Sequence, residues 1–96
     1  EHIMVSAVWN DATIAASDKT VIVEGNHYFP PETVDHSRLE ESEHSSVCPI
    51  KGRARYYHVL VGGERNPNAA WTYPNPTTKA EAIRDHVAFW KGVEVA

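Results

Sequence analysis

Glu24, His27, Cys48 and Lys51 are the side chains in this sequence best suited to proton transfer or covalent chemistry. Glu24 and His27 bracket a Gly25-Asn26 turn, and a carboxylate beside an imidazole is the usual means of orienting a general base. Cys48 is the single thiol. As a thiolate it is a nucleophile, and a neighbouring lysine, arginine or histidine favours that form. Together Cys48, His27 and Glu24 would make a Cys-His-Glu set, which only geometry can establish. Lys51 stands before Gly52. A lysine there can hold a phosphate or carboxylate, or act as a base when desolvated, while glycine lets the backbone close on a ligand or take a positive φ. Each group has a plainer alternative. A free cysteine commonly packs as a small buried hydrophobe, and Gly25-Asn26 and Gly52 could serve hairpins with polar rims. Both readings stay open.

The aromatic residues form a second pattern. Tyr28, Phe29, Tyr56, Tyr57, Trp71, Tyr73, Phe89 and Trp90 fall near short, proline-bounded strand candidates. They could fill a core, since a small β domain needs large rings to bury enough area. They could equally line an apolar pocket with phenol and indole handles. Trp71 and Tyr73 flank a strand end halted by Pro74 and Pro76, where one face can open. Trp71, Tyr73, Tyr56 and Tyr28 are therefore the expected lining of a cleft, with Lys51 and Arg53 or Arg55 meeting a polar or anionic end.

The elements that must position these residues are mostly strands. Met4–Trp9 ends at the turn signal Asn10-Asp11. Ala12–Ala16 and Thr20–Glu24 flank Ser17-Asp18-Lys19, which suggests a hairpin. His27-Tyr28-Phe29 is a short strand halted by Pro30-Pro31, and Pro31–Asp35 reads as one helical turn. The polar stretch Ser37–Ser46 has the least ordered composition. Val47–Gly52 enters a turn, and Arg53–Val61 is the longest strand candidate. In it Ala54, Tyr56, His58 and Leu60 share one face; Arg53, Arg55, Tyr57, Val59 and Val61 share the other. Gly62-Gly63 closes a hairpin and Asn66-Pro67-Asn68 a further turn. Ala69–Tyr73 is a strand. Thr78-Lys79-Ala80-Glu81 has the capping-box pattern, with Thr78 as N-cap of a helix to about Asp85. Val87–Trp90 and Val93–Val95 are the last strands.

Composition narrows the class. Of the 96 residues, 42% are hydrophobic and 23% charged, which fits a globular chain of one domain over residues 4–96 with a single core. Nine basic against thirteen acidic residues give a net charge of −4, without the basic footprint of a nucleic-acid binder. Lys51, Arg53 and Arg55 are the only basic cluster, enough for one anion. No apolar run approaches the roughly 20 residues of a membrane span, and no signal peptide is visible. The opening Glu-His-Ile-Met suggests that Glu1–Ile3 precedes a native start at Met4. A lone cysteine allows no internal disulfide and fits a reducing, cytoplasmic compartment. It also cannot build a multi-cysteine zinc site. The six histidines (His2, His27, His36, His44, His58 and His86) show no H-x-H or H-x3-H spacing, so neither a metal nor another cofactor is expected. Nothing in the pattern selects an oligomeric state.

Four segments carry a resemblance to a known family. They are Glu24 through Pro30; Cys48-Pro49-x-Lys51-Gly52-x-Ala54-x-Tyr56; Asn68-Ala69-Ala70-Trp71-x-Tyr73-Pro74-x-Pro76; and Val87-Ala88-Phe89-Trp90-x-Gly92-Val93. In these the chain resembles domain of unknown function family 427, labelled in places as a nucleotidyltransferase domain. The likeness runs from Val8-Trp9 to Val95, with Ile50 standing where the family commonly has an aromatic residue. It implies a mainly β, β-tent-like fold: a pair of antiparallel sheets leaning together, with one or two short helices. Related tent domains often hold a structural zinc through four cysteines; one cysteine implies a tent without structural zinc. Polymerase-like transferases need a Gly-Ser turn followed by Asp-x-Asp to hold metal ions on a triphosphate, and this sequence has neither.

Three functions follow as expectations. The first is a module binding a small polar or anionic molecule in an aromatic-lined cleft. The second is an enzyme using Cys48 or Lys51, with His27 and Glu24 as its acid–base pair. The third is a structural or interaction domain that pairs through its edge strands.

Overall fold

The longest alternating run of the sequence becomes the central axis of the structure. A computed structural model describes residues 3–96; Glu1 and His2, and with them part of the expected leading extension, lie outside the described residues. Its strands are β1 (Val5–Trp9), β2 (Ala12–Ser17), β3 (Val21–Val23), β4 (Asn26–Tyr28), β5 (Leu39–Cys48), β6 (Gly52–Val61), β7 (Glu64–Thr72), β8 (Val87–Phe89) and β9 (Glu94–Val95). They form antiparallel sheets of order β5-β6-β7-β8, β2-β1-β9 and β3-β4. The fold is mainly β, and the short helices are 3-10 turns at Pro31–Thr33, His36–Arg38 and Thr78–Ile83. The β3-β4 pair is a small third sheet beside the two that the resemblance implies. No helix among the described residues is long and apolar enough to cross a membrane.

The alternation in β6 sorts side chains to two faces. On one, Arg55, Thr72 and Val87 make a cross-strand row, and Glu41, Tyr57, Ala70 and Phe89 make the next. On the other, Tyr56, Trp71 and Ala88 are in line. Each face is covered. Ala7, Ile14, Phe29, Val34, Val59, Val87, Phe89 and Val93 form a buried cluster on the first, against the β2-β1-β9 sheet. Tyr28, Ala54, Tyr73, Ile83 and Ala88 form another, with Val21, Val23, Cys48, Tyr56, Trp71 and Ala80 packed on it. The length suggests one core, but a central sheet with cover on both sides divides the apolar residues in two. Adjacent residues of one segment serve the two clusters: Tyr28 enters the second and Phe29 the first. Paired backbone bonds between Phe29 and Val87 of 2.8 and 2.9 Å fix that crossing.

Several connections differ from the sequence reading. β2 pairs with β1 across Asn10-Asp11, not with β3. Both turn residues have positive φ (53° and 62°), as a tight two-residue hairpin requires and Asn and Asp tolerate. The second tight turn is Glu24-Gly25, so Asn26 already belongs to β4. Ser37–Ser46 is not irregular: Leu39–Cys48 is a ten-residue strand. It is the edge of its sheet, where backbone pairing to β6 and charged outward side chains suffice, so its composition misled. Asn66-Pro67-Asn68 lies within β7, where the register slips between Tyr57 and Val59. A bulge accommodates proline, and the Asn68 N–H donates to Nδ1 of His58 at 3.0 Å.

The expected capping box does not form. Thr77 precedes the 3-10 turn without a side-chain cap, the backbone breaks at Ala80, and Glu81 grips Arg84 at 2.5 and 3.0 Å. The segment is held from elsewhere. Thr77 Oγ1 donates to the Ile50 carbonyl, the Thr77 N–H to that of Lys51 at 3.1 Å, and Gly52 bridges Pro76.

Candidate functional site

The face carrying Tyr56 and Trp71 stays partly open. A concavity of about 180 Å³ there is lined by Asn26, Tyr28, Lys51, Tyr56, Trp71, Tyr73 and Trp90. Alternation explains the membership: Asn26 and Tyr28 are two apart in β4, and Trp71 and Tyr73 two apart at the end of β7. The rings brace one another edge to face. Tyr28 and Trp71 stand 6.1 Å apart at 89°, and Trp71 and Trp90 5.6 Å apart at 74°, arrangements favoured by the ring quadrupoles. Trp71 Nε1 donates to the Tyr28 hydroxyl at 3.2 Å, and Trp90 Nε1 to the Asn68 carbonyl at 2.7 Å. The Tyr56 hydroxyl shares a 2.9 Å bond with Ser46.

Burial makes the phenols poor acids. Desolvation, with Tyr28, Cys48 and Tyr56 adding, pushes Tyr73 up to about 12. Desolvation also raises Tyr28, against the opposing effect of the Trp71 N–H. Both therefore stay neutral near pH 7 and can donate or accept. The cationic member is Lys51, whose side chain is only 11% exposed and whose ammonium pairs with Glu24. Glu24 sits in the left-handed region (φ 52°) at the β3-β4 turn, which aims its carboxylate across to the β5-β6 turn.

These segments are the ones whose residue types carry the family likeness, and the comparison agrees: a family model described as Domain of unknown function (DUF427) matches residues 1–96. The chain belongs to the DUF427 family. No curated protein matches it.

In this DUF427 domain the residues singled out by type are only partly brought together. Tyr28, Tyr56, Trp71, Tyr73 and Lys51 line one concavity. Arg53 does not: it is exposed, two residues before Arg55 on the other face, with Nη1 3.3 Å from Ser45 Oγ. The basic cluster thus splits. Lys51 lies in the turn, and Gly52, at φ 110°, resets the alternation between it and Arg53. Glu24 is joined to Lys51 rather than to His27. His27 faces away from Tyr28, opposite the exposed Ile22, with Nδ1 2.7 Å from Thr20 Oγ1. Cys48 is half-buried against the Tyr28–Tyr73 cluster, opposite Gly52 in the β5-β6 ladder. Among the described residues no group of three or more His, Cys, Asp or Glu side chains is placed to hold a metal ion.

The type-based reading missed two things. Asn26 and Trp90 belong to the cleft, and the alternation from Tyr28 and the Trp90 indole were the available signals. The larger concavity lies on the opposite face, around Tyr57 and Thr72. Of its lining, Arg55, Tyr56 and Tyr57 drew notice from the sequence.

Proposed function

We propose that this DUF427 domain is a binding module for a compact polar or anionic molecule, held in the aromatic cleft. The observation that carries this reading is the convergence of Tyr28, Tyr56, Trp71, Tyr73 and a nearly buried Lys51 on one concavity. Its volume of about 180 Å³ is below the roughly 300–1,000 Å³ of drug-sized pockets. It suits a small carboxylate, phosphate or amide, or one end of a longer molecule. The rings supply apolar walls, the neutral phenols hydrogen bonds, and Lys51 the charge. Glu24, with its side chain 65% exposed, occupies the Lys51 ammonium and can swing into water when an anion enters. The lone, half-buried Cys48 is compatible with a reducing, cytoplasmic setting.

The test is a titration of wild type and Lys51→Ala with acetate, benzoate, phosphate and acetamide, followed by tryptophan fluorescence and thermal shift. A probe that changes the fluorescence, raises Tm in wild type and loses at least tenfold in affinity in Lys51→Ala supports the reading. Equal binding to both proteins, or no response to any probe at millimolar concentration, counts against it.

A further inference from the structure

The larger concavity, about 600 Å³, opens on the face of the β5-β6-β7-β8 sheet away from the aromatic cleft. Its floor follows from strand register. Arg55, Thr72 and Val87 lie in one cross-strand row, with Tyr57 and Glu41 in the next. The Asp85 N–H donates to the Tyr73 carbonyl at 3.2 Å, which sets the Asp85 carboxylate at the rim. His36 comes from the 3-10 turn beyond β4. Its Nε2 lies 2.8 Å from the Pro31 carbonyl, which can only accept, so Nε2 is the donor there.

Two independent features point to an occupant. Thr72 is 5% exposed, and its Oγ1 is buried without a hydrogen-bond partner, a loss that native interiors seldom tolerate. Around it, no ion pair among the described residues uses Glu41, Arg55 or Asp85. Yet all three act on one phenol: Tyr57 is raised by burial first and then by Glu41 and Asp85, with Arg55 opposing. It therefore remains a hydroxyl that can donate.

The charges select a ligand class. Two carboxylates and one guanidinium ring the same cleft. A simple anion that reached Arg55 would meet two carboxylates, and a simple cation that reached a carboxylate would meet the guanidinium. A molecule bearing both charges satisfies all three groups. We propose that this cleft binds a small amine–carboxylate zwitterion of amino-acid or dipeptide size. Its ammonium lies toward Glu41 and Asp85, its carboxylate at Arg55, and a polar atom between them partners Thr72 Oγ1. The volume fits such a molecule. The site shares no charged residue with the aromatic cleft and stands whether or not that cleft binds anything.

The experiment is a titration of the full chain, followed by amide and indole NMR resonances. The probes are the common amino acids and glycyl dipeptides, with propionate and propylamine as half-molecules. At least one zwitterion is expected to shift the amides of Arg55, Tyr57 and Thr72 while leaving the Trp71 indole unmoved. Arg55→Gln should weaken that probe at least tenfold. Thr72→Val should weaken it too, yet raise the Tm of the free protein by removing an unpartnered buried hydroxyl. The proposal is overturned if no zwitterion shifts these amides at millimolar concentration, or if propionate or propylamine binds as tightly as any zwitterion. It is equally overturned if the shifts centre on Trp71 or if Arg55→Gln leaves affinity unchanged.

Discussion

Tyr73 illustrates how much of this protein is decided by single buried polar atoms. It is 6% exposed, and burial pushes its phenol from 10.0 up to about 12. The sign of the consequence is fixed. Between about pH 10 and 12 the unfolded chain gives up this proton while the native state keeps it, so the unfolded state binds fewer protons and stability falls as pH rises. Below pH 10 both states hold the proton and the group adds no pH dependence. Tyr28 and Tyr57 are shifted the same way and contribute in the same direction. Tyr73→Phe should therefore lose less stability than wild type on going from pH 9 to 11, read from denaturant midpoints at each pH. Parallel curves for the two proteins would contradict the shift. Chain order puts the Thr72 hydroxyl and the Tyr73 phenol side by side in sequence, but alternation sends them to opposite faces and different clefts.

The β5-β6 turn shows the same logic for an element. Gly52 has φ 110°, and a Cβ there would come within 3.1 Å of the Asn75 carbonyl oxygen and 3.4 Å of Pro76 Cα. Both contacts are backbone and cannot rotate away. The close approach lets Lys51 and Ile50 hold Thr77 through their carbonyls, and it turns Lys51 toward the aromatic face. Gly52→Ala should cost about 1–3 kcal/mol, combining an unfavourable φ with displacement of the 74–77 segment. For a domain of this size each kcal/mol is roughly 4–8 °C in Tm. It should also weaken any ligand that uses Lys51. A Tm within a degree of wild type would remove the steric argument. The signal for this glycine was present in the sequence as Lys51-Gly52, but its partner, Pro76, is not a chain neighbour and could not be named.

At the scale of the whole molecule, one sheet joins two apolar clusters that do not touch through a common interior. Phe29 and Ile14 anchor one, Tyr28 and Ile83 the other. Because β6, β7 and β8 contribute to both, neither cluster can be lost alone without breaking the sheet that supports the other. Ile83→Ala, at a residue 1% exposed, should cost about 2–5 kcal/mol by lost burial and the cavity left behind. It should shift one cooperative transition rather than reveal a second. Near-UV dichroism from Trp71 and far-UV dichroism from the sheets should then melt together; separated midpoints would show two independently stable halves. The sheet also explains how two different clefts coexist in so small a chain, since each face of β6-β7 ends beyond its own cover.

The sequence by itself determined what depends on local chemistry and period. The alternation in Arg53–Val61 assigned Tyr56 and Tyr57 to opposite faces. The prolines after Tyr73 marked the strand end, Gly62-Gly63 the hairpin, and four separated segments the family. Tertiary structure decided what depends on partners far along the chain. It made an edge strand of the polar Leu39–Cys48, because pairing with β6 satisfies a backbone whose side chains need no burial. It absorbed Asn66-Pro67-Asn68 into a bulge, because His58 supplied the missing acceptor. It replaced a local capping box with contacts to the β5-β6 turn. It also joined Glu24 to Lys51 and turned His27 away, so residues chosen by type were regrouped by register. Side-chain identity states what a residue can do; only the strand pairing, with its period of two, states which residues do it together.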